Sequence, residues 1–129
     1  MNLVLPGETH DTTTPRAMAS GMRAYLLGRT LKPASRDVLT GWMIQTQTGA
    51  RRLRAGLPPT WRAGDKTGSS WNDTAMVDKV NDIAIVWPPH RAPIIVTAYL
   101  DGAKMSKAIR PEDETILVEV ARIVAGAFA

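Results

Sequence analysis

At 129 residues and 44% hydrophobic content, the chain has room for one ordinary domain or part of one, with enough apolar residues to build a core. It contains no cysteine, which excludes disulfides, thiol catalysis and cysteine-based zinc sites. The formal charge of +4 suits a nucleic acid, a membrane face or a small carboxylate equally well, so charge alone selects no partner.

Residues 1 to 13 read as a loop, without the charged start and apolar core of an export signal. Thr14-Pro15 is a helix start, because a threonine hydroxyl caps free N–H groups and proline at the first helical position wastes no donor. Met18, Met22, Tyr25 and Leu26 follow at helical spacing and Gly28 supplies the stop. A second helix, capped by Ser35, is expected to bring Val38, Leu39, Trp42 and Met43 onto one face. A short helix from about Ala50 to Ala55 follows, and Leu57-Pro58-Pro59 breaks the helical pattern.

Three strands come next, at Trp61 to Gly68, Asp82 to Trp87 and Ile94 to Leu100. Pro88, Pro89 and Pro93 frame a turn that makes the last two an antiparallel hairpin. The apolar run from Pro93 to Leu100 is far short of the roughly 20 residues that cross a bilayer. A terminal helix carries Ile116, Val120, Ile123 and Ala127 on one stripe, flanked by Leu117 and Val124. Its acidic start, Glu112-Asp113-Glu114, suits a helix dipole. The expected fold is α+β: N-terminal helices, then a three-stranded antiparallel sheet with a C-terminal helix packed on it. The polar stretch Ser69 to Asn81 is a long connection between the first two strands.

Lys66-Thr67-Gly68 falls on the first strand, and taken alone it is an ordinary strand end with an exposed lysine. An ammonium and a hydroxyl along one edge strand can also hold a substrate carboxylate, while glycine lets the substrate lie against the backbone. The N–H of Ser69 is then available to a developing oxyanion. The tripeptide is among the motifs of class A serine β-lactamases and penicillin-binding proteins. The segments Leu5-Pro6-Gly7, Asp11-Thr12-Thr13-Thr14-Pro15 with Met18, Thr48 through Pro58 with Trp61, Asp65 through Gly68 and Asn81 through Ala84 resemble the C-terminal half of class A β-lactamases over nearly the whole chain.

The resemblance implies a partial domain, with the end of the Ω-loop and helical part in residues 1–60 and strands and terminal helix in 61–129. It implies roles for Lys66 and Asn2 in catalysis, Asn2 helping to position the deacylating water. Thr67, Gly68, Ser69 and Arg54 are implied in substrate binding, Arg54 reaching toward the lysine-threonine strand, and Asp11 is implied as the Ω-loop anchor. It implies a β-lactam carboxylate substrate and no cofactor, metal, nucleic acid or membrane. The full family protein is periplasmic or secreted; without an export signal, a cytoplasmic chain is the alternative.

The departures bear on activity. The chain has no Ser-x-x-Lys and no Ser-Asp-Asn, and it begins just after where the Ω-loop glutamate would stand. The expectation is a chain inactive by itself, dependent on a missing N-terminal segment or self-associating through an uncovered Ile94 to Leu100 edge and the apolar faces of Met18, Met22, Leu39, Trp42 and the Ile116 to Val124 stripe. Ser70-Trp71-Asn72 follows the lysine-threonine strand instead of joining two helices, so its Ser-x-Asn letters are read as coincidence. A catalytically inactive remnant is the alternative. A penicillin-binding transpeptidase shares the tripeptide, but Asn2 and the Asp11 to Pro15 segment favour the hydrolase. A nucleic-acid binder would use Arg51, Arg52, Arg54 and the four tryptophans, though no binding motif accompanies them. His10 and His90 have no ligand-spaced partners.

Overall fold

The computed structural model describes residues 9–10, 12–70, 79–102 and 108–128. Helix α1 spans Pro15–Leu26, with Thr14 Oγ1 accepting from the Ala17 N–H at 3.2 Å as the threonine-proline start predicts. At Gly28 any Cβ would lie 2.6 Å from the Ala24 carbonyl oxygen, so only glycine lets the chain fold back against the helix end. Arg36 then donates to the Gly28 carbonyl at 2.6 Å and ties the turn to the next helix.

Helix α2 spans Pro33–Ile44 and begins earlier than a Ser35 cap would allow. Pro33 takes the first position, where its fixed φ suits the helix and its missing N–H needs no cap; no side chain caps this helix, and Ser35 lies within the first turn. The expected single apolar face also divides. Met43 is buried and Leu39 packs beside it, whereas Val38 is 50% and Trp42 68% exposed. The short helix expected near Ala50 to Ala55 is a 3-10 turn, Leu53–Gly56, directly before the Leu57-Pro58-Pro59 break.

Strands β1 (Arg62–Ser70), β2 (Lys79–Trp87) and β3 (Ile94–Asp101) form an antiparallel sheet in the order β1-β2-β3. The pairing runs past the apolar segments that marked the strands, because Lys79, Val80 and Asn81 lie opposite Ser70, Ser69 and Gly68 on one side and Asp101, Leu100 and Tyr99 on the other. The connection between β1 and β2 is therefore 71–78, outside the described residues. The β2–β3 turn has Arg91 N–H donating to the Pro88 carbonyl at 3.4 Å, with His90 at φ 60°.

Helix α3 spans Pro111–Phe128. Its buried apolar stripe is Leu117, Val118, Ala121 and Ala125, whereas Ile116 is 48% and Ile123 72% exposed. The helix is rotated from the expected Ile116-Val120-Ile123-Ala127 stripe because small residues bring it close to the 3-10 turn. A Cβ at Gly56 would meet the Val118 carbonyl and approach Ala121 Cβ to 2.8 Å.

Strand alternation divides the core between the two sheet faces. Ala84 and Val86 join Leu53, Val96 and Ala121 beneath α3 and the 3-10 turn, and Ile85 joins Met22, Leu26 and Met43 beneath α1 and α2. The middle strand is covered on both faces, and β1 is an edge strand whose outer backbone groups have no ladder partner among the described residues. Among the described residues, no helix is long and apolar enough to cross a membrane.

Candidate substrate-binding wall on β1

The Lys66-Thr67-Gly68-Ser69 row lies in the outer half of edge strand β1, opposite Ile83, Asp82, Asn81 and Val80 of β2. Lys66 is exposed, and its Nζ donates to the Thr67 carbonyl at 2.6 Å. Thr67 Oγ1 lies 2.7 Å from Thr48 Oγ1, so the residue before Gly49 fixes that hydroxyl. These groups line an open groove of about 730 Å3 together with Arg51, Arg52 and Glu114, a size in the range of small-molecule sites.

Arg52 sits behind the row and is 2% exposed. Its Nη1 donates to the Gly68 carbonyl at 3.3 Å and the Asn81 carbonyl at 2.7 Å, and its Nη2 donates to Ser69 Oγ at 2.7 Å. Its Nε donates to Glu114 Oε1 at 3.2 Å, while exposed Arg51 pairs with Glu114 Oε2 at 3.0 Å. One planar guanidinium thus clamps both strands at the Gly68/Asn81 pair and is neutralised from α3. Because Ser69 Oγ accepts from Arg52, its own hydrogen is left for another acceptor.

Arg54, expected to reach the lysine-threonine row, reaches β1 at Asp65, where its Nη2 donates to Oδ1; it also donates to the Met43 carbonyl at 3.4 Å. Between the two arginines Leu53 is 1% exposed and anchored in the core, which sends Arg52 to the Ser69 end of β1 and Arg54 to Asp65. Arg54 thus meets β1 one residue before Lys66, and Arg52 meets it at Ser69. Asn2 and Asp11 lie outside the described residues, as do Trp71 and Asn72 of the Ser-x-Asn run.

Beneath the wall lie two buried carboxyls on one sheet face. Asp82 Oδ2 accepts from the Leu53 N–H at 3.1 Å. Burial, and then the neighbouring Asp65 charge, push the Asp82 carboxyl up to about 7, against the Leu53 N–H and Arg52. Burial also raises Asp65, opposed first by Arg54. Asp65 packs so tightly on Gly49 that any Cβ there would overlap its carboxylate.

This arrangement can bind an anion: Lys66 brings charge, Thr67 and Ser69 bring hydroxyls, and Gly68 keeps the strand surface low. The chain has no Ser-x-x-Lys to supply a nucleophile beside a lysine on one helix turn. Arg52, Glu114, Thr48 and Asp82 were not singled out for the site from sequence. Arg52 was one of three arginines in a short run, and Glu114 read as a helix-dipole residue; only long-range pairing with Ser69 and α3 distinguishes them.

A family model described as the beta-lactamase enzyme family matches residues 2–128. Beta-lactamase AST-1 of Nocardia asteroides is 41% identical over 128 residues, covering 99% of this chain and 39% of the relative. A beta-lactamase of Mycobacterium tuberculosis is 42% identical over 124 residues, covering 96% of this chain and 38% of the relative. Among solved structures, a beta-lactamase from Xanthomonas campestris superposes with TM-score 0.86 at 48% identity, covering 99% of this chain and 45% of that one. A class A beta-lactamase reconstructed as the last common ancestor of Gram-negative bacteria gives TM-score 0.86 at 47% identity, covering 99% of this chain and 46% of that one. The chain spans about two fifths of the length of the curated relatives it matches.

Proposed function

Because the chain belongs to the beta-lactamase enzyme family, we propose that it forms the substrate-carboxylate and oxyanion wall of an enzyme that hydrolyses the β-lactam ring by serine acylation and water deacylation. The observation that carries this reading is the Lys66-Thr67-Ser69 row on an open strand edge, with buried Arg52 orienting Ser69 from behind. Lys66 attracts the substrate carboxylate, and the Thr67 and Ser69 hydroxyls hydrogen-bond it. The Ser69 backbone N–H serves as half of the oxyanion hole. Gly68 admits the substrate against the strand, Arg54 supports the wall through Asp65, Asn2 helps hold the deacylating water and Asp11 anchors the Ω-loop.

The nucleophile comes from a Ser-x-x-Lys segment that this chain does not contain. That segment also covers the exposed Trp42, Val38, Ile116 and Ile123 and the edge of β3 that is unpaired among the described residues. Removing such apolar area from water at roughly 25 cal/mol per Å2 favours association. In this reading the chain alone is catalytically inactive and depends on that partner segment, or associates with itself when the segment is missing.

The test compares benzylpenicillin with its methyl ester by chemical-shift titration of the isotope-labelled chain. The acid should perturb Lys66, Thr67 and Ser69 and bind at least about tenfold more tightly than the ester, a difference of about 1.4 kcal/mol. Equal affinity for acid and ester, or perturbation away from β1, would refute the assignment.

A further inference from the structure

We infer that Arg51 forms a second anion subsite in the groove, so that the wall prefers dianionic β-lactams, those with a further acidic group on the ring carbon next to the one bearing the carboxylate. The inference rests on the proposed carboxylate wall and names the substrate class that this wall selects.

The charge balance of the groove comes first. Among the described residues, its charged lining is Lys66, Arg51 and Arg52 against the single carboxylate of Glu114, which leaves two positive charges uncompensated. Burial decides which two. The Arg52 and Glu114 side chains are 3% and 8% exposed, so each needs the other where an unpaired charge is costly. Arg51 meets the second Glu114 oxygen, Oε2, at 3.0 Å, but its side chain is 80% exposed. An exposed ion pair contributes little, and a carboxylate already matched by a buried guanidinium has no second charge to offer. Lys66 donates to the Thr67 carbonyl, which leaves its charge unmatched as well.

Geometry places Arg51 within the same site. Three successive contacts tie it to the wall: Arg51 Nε to Glu114 Oε2 at 3.0 Å, Glu114 Oε1 to Arg52 Nε at 3.2 Å, and Arg52 Nη2 to Ser69 Oγ at 2.7 Å. Arg51 is held through Nε, and its Nη1 and Nη2 make no hydrogen bond among the described residues. The planar fork is thus open to a carboxylate or sulfonate. The remaining lining, Thr48, Ala50, Gly68 and Ile109 among it, is neutral, so no fixed anion besides Glu114 competes for that fork.

The groove, about 730 Å3, has room for more than the carboxylate on Lys66 and Thr67. In a cephalosporin the ring carbon next to the acid-bearing one carries a variable substituent, a few bonds from the carboxylate. A ligand anchored by that carboxylate keeps the substituent inside the groove, and an acidic group on it meets Arg51.

The test uses the whole chain, labelled with 15N-arginine, and two cephalosporins that differ only in that substituent, one with a carboxymethylthio group and the other with its carboxamide. The dianion should bind about fivefold more tightly than the carboxamide, the upper end for an exposed ion pair, and should shift the Arg51 Nε–H resonance. R51Q and about 0.5 M salt should each remove the preference, while R51K, which keeps the charge without the fork, should retain part of it. If the carboxamide perturbs Lys66, Thr67 and Ser69 but the dianion binds no more tightly, or if R51Q keeps the preference, the inference is overturned and the wall stands. If neither compound perturbs β1, the wall is refuted and the dianion preference with it.

Discussion

Arg52 Nη2 lies 2.7 Å from Ser69 Oγ, joining a side chain that is 2% exposed to the open edge of β1. The same guanidinium holds the Gly68 and Asn81 carbonyls and is neutralised by Glu114. R52A should strip the Gly68, Asn81 and Ser69 groups of their shared donor, leave buried Glu114 paired only with the exposed Arg51, and destabilise the chain by about 3–5 kcal/mol. R52K keeps the charge but loses the planar fork, and should recover less than half of that loss. Urea unfolding of the two variants measures both effects.

Two glycines near the wall should respond in opposite ways. G49A drives a methyl into the buried Asp65 carboxylate and should cost about 1–3 kcal/mol by overpacking. At Gly68 the nearest atom to an added Cβ is Asn81 Cβ at 3.8 Å, so G68A should change stability by less than about 1 kcal/mol. It should instead weaken binding of the penicillin acid, since the methyl enters the groove. Denaturation and titration of both variants separate the fold requirement from the ligand requirement.

His90 turns the β2–β3 connection at φ 60°, a region costly for a residue with a Cβ. H90G should stabilise the chain by about 0.5–1 kcal/mol, visible as a raised midpoint in thermal unfolding. Pro88 and Pro89 remain in place, so the hairpin register should be unchanged.

The buried Asp82 carboxyl gives the chain a stability that falls with rising pH. Its folded pKa, about 7, lies above the ordinary 3.8, so between those values the folded state keeps a proton that the unfolded state has lost. This group's stabilising contribution is full below pH 3.8 and declines through about pH 7, at up to about 1.4 kcal/mol per pH unit. Asp65, also raised, contributes in the same direction. D82N should flatten that slope in unfolding free energies measured across the window.

The elements with strong local signals were legible in the sequence. Thr14-Pro15 fixes the start of α1, and the β-branched residues of β3 mark a strand beside its proline-framed turn. Signals failed where packing at a distance decides. The rotation of α3 is set by Ala121 and Val118 closing on Gly56, and the isoleucines that carry the sequence pattern, Ile116 and Ile123, remain outside. The wall itself was readable because Lys66 to Ser69 are contiguous on one strand. Its supports were not, because Arg52 and Glu114 are 62 residues apart and Asp82 acts through a backbone N–H that no side-chain motif records.

The most direct test of the central claim is hydrolysis of a chromogenic cephalosporin by the purified chain, alone and mixed with an N-terminal fragment of a class A relative that carries Ser-x-x-Lys. The account predicts no turnover alone and measurable turnover in the mixture, abolished when that serine is replaced by alanine. Turnover by the chain alone, or a mixture in which the fragments associate yet K66A and T67A leave the rate unchanged, would contradict it.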